Sequence, residues 1–385
     1  MMLQRDDLHG LKIAIVFGCL DLGGSERLGF LLARALKERY GAEVSIWSLS
    51  NGPGRLVSMC EAAGIPWRSM QFKWSRLLLY NLWELSRFVR WARAESPHVL
   101  LPFYRLPNLV CGLTWRRIGA KTCVWNQRDE GLLLTGDFLN ARAVEKTPLF
   151  IANSQGGGDF LLNKYLIDPA KMTLVHNGVE LPPPRLGRGG WRERLGVTAE
   201  APLVCMVANF TPYKDHATLI RTWRIVMDEC RSRIEVPPLL LLAGMEGDTY
   251  GAAVTLVKDL GLHDAVRFLG SVEDVAGLLM ASDLYVHSSL SEGCPNAILE
   301  AMASGLPVVA TAIPGNREAV GPEGEEFLVS VGEPRAMASA ILDLLVDRTR
   351  AEMLAMAQEA RAAKEFSSVA MVDKTVQVIR RGLSG

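Results

Sequence analysis

Glu292, Asn296 and Glu300 fall at four-residue intervals directly after an apolar strand candidate, Leu284 to His287. A small-residue loop turns at Ser288–Ser291, and a short helix is predicted to start near Pro295. Proline at a first helical position and Gly305 just past the end mark its limits. Asn296 and Glu300 then share one helix face, with Glu292 in the loop before the helix N-terminus. Backbone N–H groups and a positive dipole end would stand beside two carboxylates and an amide. A diphosphate suits the first set, and the hydroxyls of a sugar or ribose suit the second.

Such a loop needs a scaffold, and the rest of the chain supplies one. Lys12 to Phe17 reads as a buried strand, Gly18 to Gly24 as a loop, and Ser25 as the cap of a helix running to about Arg39. Ala42 to Trp47 returns as a strand, completing a βαβ unit of the parallel, doubly covered kind. Val99 to Pro102, Lys121 to Trp125, Leu149 to Ala152 and Met172 to Val175 continue the alternation. Between Val179 and Gly190, three prolines and several glycines predict a linker with no element of its own. The pattern then restarts. Strands are expected at Leu203–Ala208, Leu239–Ala243, Val266–Leu269, Leu284–His287 and Pro307–Ala310, and helices at Thr218–Cys230, Tyr250–Leu260 and Ala297–Ala303. Two doubly wound α/β domains in tandem follow, with ligands expected at the carboxyl ends of the strands.

With 385 residues, 49% apolar and 22% charged, the chain has the composition of a folded globular protein of two domains. Seven scattered cysteines, with no C-x-x-C pair and no metal-like Cys/His spacing, read as free thiols in a reducing compartment. The opening segment, with Arg5, Asp6 and Asp7, does not read as an export signal, and no stretch approaches the ~20 apolar residues of a membrane span. A cytoplasmic protein is the expectation. Residues 1–181 hold 22 basic against 16 acidic side chains, and the remainder the reverse imbalance. That basic half suits an anionic partner such as a phospholipid surface, or is ordinary surface scatter. Nothing in the pattern points to nucleic acid.

The 288–310 stretch resembles the donor-site motif of glycosyltransferase family 4, whose members have the GT-B fold. The likeness lies in two glutamates separated by seven residues, Glu292 and Glu300, and in the run from Leu299 to Val309. Other segments agree in order along the chain: Gly23-Gly24-Ser25-Glu26-Arg27, Asn153-Ser154, His176 to Glu180, Phe210 to His216, Gly244, Phe268-Leu269-Gly270 and Phe366-Ser367. The resemblance implies two Rossmann-like domains, an acceptor-binding one at 1–181 and a donor-binding one at 182–365, with a 366–385 helix crossing back to the first. It implies metal-independent, retaining transfer of a sugar from a nucleotide-diphosphate sugar, UDP-linked before GDP-linked, with no cofactor. The acceptor would be a glycan or lipid-linked hydroxyl in cell-surface polysaccharide or glycolipid synthesis. In this reading Glu292 and Lys214 are the catalytic pair. Gly23, Gly24, Asn209, Gly244, Phe268, Leu269, Gly293, Cys294, Pro295, Asn296 and Glu300 line the donor site with them.

Three departures from the family pattern stand out. Asn209 occupies the place of an arginine five residues before the lysine, removing a planar cation; Arg317 compensates only if the fold brings it near. Cys294-Pro295 replaces a Phe-Gly pair, so one backbone donor is missing. The stretch Val124 to Glu130 lacks the histidine that many members place near the donor sugar. Gln127, Arg128 or Asp129 would take that place, touching donor or acceptor, or else belong to a loop with solvated charges. His98 stands where the family usually has an aspartate. The helix expected over Arg76–Ala94 carries a core stripe of Leu78, Leu82, Leu85, Val89 and Ala92. Opposite lie Arg76, Tyr80, Trp83, Arg87 and Arg90, a face suited to peripheral contact with a membrane or to packing on a neighbouring helix. Two rival functions remain: a nucleotide-sugar epimerase of the same fold, and a catalytically silent nucleotide-sugar-binding scaffold.

Overall fold

The computed structural model describes residues 8–21, 23–131 and 138–384. Residue 22, inside the expected Gly18–Gly24 loop, and residues 1–7 of the opening segment lie outside that set. The chain folds as two compact units. One comprises residues 1–178 with 368–385, the other residues 179–367; the sequence expectation had put the junctions at 181/182 and 365/366.

The first unit is built on β1 (Lys12–Phe17), β2 (Glu43–Ser48), β3 (Trp67–Ser69), β4 (Val99–Pro102), β5 (Thr122–Gln127), β6 (Leu149–Ala152) and β7 (Met172–Leu174). They form one parallel sheet in the order β3-β2-β1-β4-β5-β6-β7. Side chains alternate along each strand, so Ile13, Ile15 and Phe17 enter one core while Ala14 and Val16 enter the core on the opposite face. Both faces are covered by helices, which is why the strand sequences are apolar throughout instead of alternating. The chain order reverses between β1 and β4, and such a reversal opens a crevice at the carboxyl edge of a sheet.

The second unit repeats the scheme with β8 (Leu203–Val207), β9 (Leu239–Ala243), β10 (Val266–Gly270), β11 (Leu284–His287), β12 (Val308–Thr311) and β13 (Leu328–Val329). Its parallel order is β10-β9-β8-β11-β12-β13, with the reversal between β8 and β11. The run Leu239–Leu242 is shared between two cores: Leu240 and Leu242 face Trp223 and Val286, and Leu239 and Leu241 face Tyr285 and Leu299.

Four local expectations need correction. The first helix is Gly24–Tyr40, capped at Gly23 with no side-chain bond, so Ser25 lies inside it. Glu26 does the capping work from within, bending back on the Gly23 backbone. The 179–190 stretch is not wholly a linker. A helix begins at Arg188 and runs to Leu195, and Trp191 is buried with its indole N–H donated to Asp274 at 2.8 Å. Asp274 also accepts from the Arg185 and Leu186 amides, each at 3.0 Å, and so pins the proline-rich segment down. Pro295 is the N-cap of the Asn296–Ala303 helix, one residue earlier than expected.

The fourth correction concerns the Leu78–Arg93 helix. Leu85, Val89 and Ala92 are buried as expected, but Leu78 and Leu82 are 56% and 45% exposed. Asn81 and Glu84 point inward in their place. Asn81 bonds both the amide and the carbonyl of Ser75, and Glu84 Oε1 accepts from Arg87 and the Tyr80 hydroxyl. Polar pairing has rotated the buried stripe away from the leucines, which a hydrophobic pattern alone cannot show.

The final helix, Ser368–Ser384, places Met371, Val372, Val376 and Ile379 in the same core as Ile13 and Ile15, which makes it part of the first unit. It is reached where Gly178 passes the Ser368 backbone. A β-carbon on Gly178 would lie 2.5 Å from the Ser368 Cα. Gly178→Ala is therefore expected to destabilise the first unit by about 1–3 kcal/mol. Gly251→Ala, whose β-carbon would meet nothing within 4 Å, should be neutral. Thermal unfolding of both variants against the parent checks the contrast; equal midpoints would show that the crossing yields freely.

Candidate functional site

The reversal between β8 and β11 brings two loops together at the carboxyl edge of the second sheet. They are zipped by backbone bonds: Asp215 N–H donates to Ser288 O at 3.0 Å, and Leu290 N–H to Tyr213 O at 2.9 Å. Lys214 stands on the first loop and Glu292 on the second, and their side chains form an ion pair. The carboxylate is largely buried, and its side chain is 13% exposed.

Glu292 Oε1 receives three bonds. Besides Lys214 Nζ, it is reached by His287 Nε2 at 2.8 Å and Ser289 Oγ at 2.8 Å. Glu292 Oε2 stands outside this set. Burial alone would raise the carboxyl's pKa, but Lys214 and His287 hold it well below the ordinary glutamate value. An ionised carboxylate only accepts, so His287 must carry its proton on Nε2. Its Nδ1 then accepts from the Tyr285 hydroxyl at 3.1 Å. Burial and the Lys214 charge both lower the His287 pKa, so the ring is neutral. A relay Tyr285–His287–Glu292 thus runs from the sheet interior to the loop.

Three further contacts set this geometry. Thr311, at the end of β12, accepts from the Ser289 amide at 3.0 Å and donates to the Ser289 carbonyl at 2.7 Å. Gly315 packs under the loop, where a β-carbon would stand 2.0 Å from Gly293 O and 2.4 Å from Glu292 O. His216 bonds the Lys214 carbonyl at 2.8 Å and stacks on Phe210 with centroids 4.0 Å apart. His287, Ser289, Tyr285, Thr311, Gly315 and His216 were not singled out from sequence. The one available signal was a histidine closing an apolar strand, two residues from a tyrosine on the same face.

The other expected residues of this unit have the following places. Asn296 and Glu300 lie on the Asn296–Ala303 helix, whose N-cap residue, Pro295, has no side chain able to cap it. Gly293 and Pro295 are buried, and Cys294 is half-buried against the core below. Gly244 is where the ends of β8 and β9 touch: its β-carbon would meet Ala208 O at 2.0 Å. Asn209 accepts from the Met245 amide at 3.0 Å, tying the same two ends. Phe268 joins an aromatic cluster with Phe210 and Tyr250, and Leu269 lines a groove of about 690 Å³ with Trp191, Arg194 and Arg267. Arg317 is paired with Glu325.

In the first unit, Gly23 ends the loop after β1 as the N-cap of the first helix, Gly24 opens that helix, and Arg128 follows β5 on the same sheet edge. Arg128 lies 4.6 Å over the Phe103 ring and donates to Asn177 Oδ1 at 2.9 Å. Gln127 and Asp129 serve the loop itself. Gln127 accepts from the Trp125 indole and donates to Asp129, which also accepts from the Gly131 amide. Of the three candidates for the missing histidine's place, Arg128 sends its side chain to Phe103 and Asn177. His98 accepts from the Lys12 amide at 3.1 Å, before β4 and away from the carboxyl edge. Among the described residues, no group of three or more His, Cys, Asp or Glu is disposed to hold a metal ion.

Two parallel-sheet Rossmann-like units of this topology define the GT-B fold. Two family models match the sequence: Glycosyltransferase Family 4 over residues 22–181 and Glycosyl transferases group 1 over residues 201–347. The chain belongs to the family-4 type of GT-B glycosyltransferases. The D-inositol 3-phosphate glycosyltransferase of Kineococcus radiotolerans is 33% identical over 260 residues, 63% of this chain and 59% of that one. The UDP-Gal:alpha-D-GlcNAc-diphosphoundecaprenol alpha-1,3-galactosyltransferase of Escherichia coli is 26% identical over 194 residues, 49% of each chain. The chain thus spans about half to three-fifths of the curated relatives it matches. Anabaena HepE, solved in complex with UDP and glucose, shares the fold with a TM-score of 0.81 at 22% identity, over 96% of this chain and 99% of that one.

The buried histidines carry a pH signature. His216, neutral in the fold, is depressed by burial from 6.5 to about 4. The unfolded chain takes up a proton below about 6.5 that the folded chain refuses until about 4. Stability is therefore fully present above the first value and falls as the pH drops toward the second, by about 3 kcal/mol for this ring. Denaturant melts of the parent and His216→Gln between pH 7 and 4 should show a shallower fall in the variant. Parallel pH profiles would contradict a neutral buried His216.

Proposed function

We propose that the chain is a retaining, metal-independent hexosyltransferase. It would move a sugar from a nucleotide-diphosphate sugar, UDP-linked before GDP-linked, to a hydroxyl of a glycan or lipid-linked acceptor, in cell-surface polysaccharide or glycolipid synthesis. Family membership supports transfer chemistry, and the names of the curated relatives support a phosphorylated or lipid-linked acceptor. The HepE complex supports UDP over other nucleotides. The observation that carries the reading is the ionised Glu292, fixed through one oxygen beside a lysine at the switch point of the second sheet.

In this mechanism the diphosphate lies on the N-terminus of the Asn296–Ala303 helix and on Lys214. Glu292 Oε2 accepts a donor-sugar hydroxyl, and Glu300 holds the nucleotide ribose. Asn209, whose oxygen is engaged by Met245, offers its amide N–H₂ where other members have arginine. Lys214 can share its charge with the diphosphate because His287 and Ser289 keep Glu292 in place. The bond from the anomeric carbon to the diphosphate oxygen breaks, and its electron pair leaves with the phosphate. Lys214 and the helix N–H groups stabilise that developing charge. An acceptor hydroxyl attacks the oxocarbenium-like carbon on the face just vacated, and its proton passes to the departing phosphate oxygen. The carboxyl edge of the first unit would bring Gly23 and Gly24 to the donor and Arg128 to donor or acceptor.

The test is calorimetric titration with UDP, GDP, ADP and their sugars, followed by turnover with the nucleotide that binds. Binding of one nucleotide without added metal, weakened at least about tenfold in Glu300→Ala, is expected. Glu292→Ala should lose about 10²–10³ in turnover while keeping the fold. Nucleotide binding without turnover would favour the silent-scaffold alternative, no binding by any nucleotide would contradict the donor site, and product formed without acceptor would favour an epimerase.

A further inference from the structure

The described residues leave one concentrated apolar surface. Leu77, Leu78, Leu79, Leu82 and Trp83 are 69%, 56%, 81%, 45% and 52% exposed, five large side chains within seven positions. Among the described residues, no other seven positions hold more than two such side chains. Scattered exposed leucines need no explanation, but a contiguous group does.

Its surroundings say what would cover it. From Gln71 to Arg93 the chain carries five basic residues and one acidic residue, Glu84. The Glu84 side chain is only 1% exposed and is paired with Arg87. Lys73, Arg76 and Arg90 are exposed, so the exposed charges that this stretch sets beside the leucines are positive. Tyr80 and Trp83 stand 5.8 Å apart by ring centroid, and Arg87 lies 4.8 Å over the Trp83 ring. Apolar side chains for insertion, aromatic rings at their border and a basic rim match the layered chemistry of a membrane interface. A protein partner for such leucines would need a matching acidic rim; an anionic bilayer supplies both at once.

The place in the fold adds a reason. The segment before the helix runs on from β3, with the Met70 amide on Ser48 O and the Phe72 amide on Leu49 O. The helix therefore begins at the carboxyl edge of the first sheet, on the side of the loops that follow β1 and β5. We infer that residues 73–83 dock the first unit peripherally onto an anionic lipid surface. If the transferase reading above holds, this edge would face a lipid-borne acceptor; the docking itself stands without that reading.

The experiment is flotation of the full chain with vesicles of phosphatidylcholine alone or with about a third phosphatidylglycerol. The parent should float with the anionic vesicles and much less with the neutral ones, and salt should weaken it. Leu77→Ser/Leu78→Ser/Leu79→Ser should cut partitioning at least about tenfold. Lys73→Gln/Arg76→Gln should cut it about twenty-five-fold on anionic vesicles only, from roughly fivefold per charge. Because these side chains are exposed, both variants should keep the parent's melting temperature and nucleotide binding, which separates failure of docking from failure of the transferase reading. Equal flotation of parent and leucine variant would overturn the inference, as would no flotation of the parent. Self-association of the parent that the leucine variant abolishes, without lipid binding, would assign the patch to a second copy instead.

Discussion

A carboxylate taken out of water has to be matched by charge and hydrogen bonds, and Glu292 shows what that demands of a fold. Leaving it unpaired would cost several kcal/mol, and the group would protonate instead. Three donors converge on one of its oxygens, and each comes from a different part of the second sheet's edge: Lys214 after β8, His287 at the end of β11, and Ser289 in the loop itself. Only a topology that sets β8 beside β11 can assemble them. The reversal of strand order there is thus a requirement of the site as much as a feature of the architecture.

The same constraint explains contacts that touch no charge. Gly315 lets the next helix press against the Glu292–Gly293 backbone, and Thr311 holds Ser289 by both its amide and its carbonyl. His216 fixes the Lys214 carbonyl from the other side. Since all three bonds to Glu292 fall on Oε1, its orientation does not depend on Lys214 alone. The lysine can serve a bound anion without releasing the carboxylate, which is the division of labour that leaving-group stabilisation needs.

Much of this was legible in the sequence, for identifiable reasons. Continuous apolar runs bounded by loops located most strands within a residue or two, and Leu149–Ala152, Leu239–Ala243 and Leu284–His287 coincide with the strands found. Glu292 was visible because its spacing from Asn296 and Glu300 set it in a loop before a well-marked helix, and Lys214 only through the likeness to the family pattern. Their support was not visible. His287 and Tyr285 belong to an apolar strand and read as core, and Gly315 shows its purpose only once another backbone lies 2.0 Å from its missing β-carbon. The Leu78–Arg93 helix misled for the opposite reason. Leucine periodicity named an inner face that hydrogen-bonded Asn81 and ion-paired Glu84 occupy instead. Hydrophobic pattern ranks faces by solvent preference, and buried polar groups that find hydrogen bonds and a counter-charge can overrule it.

The central claim is that Glu292 stands ionised and held in place before any substrate arrives. Carbon-13 labelling of the glutamate side-chain carboxyls, with Glu292 assigned by its loss in Glu292→Gln, measures this directly by NMR titration. The account predicts a carboxylate resonance that stays fixed as the pH is lowered through 4.5, the ordinary glutamate value, while exposed glutamates move. A Glu292 resonance that titrates at or above that value would contradict the account. It would mean that Lys214 and His287 do not hold the charge that the site is built around.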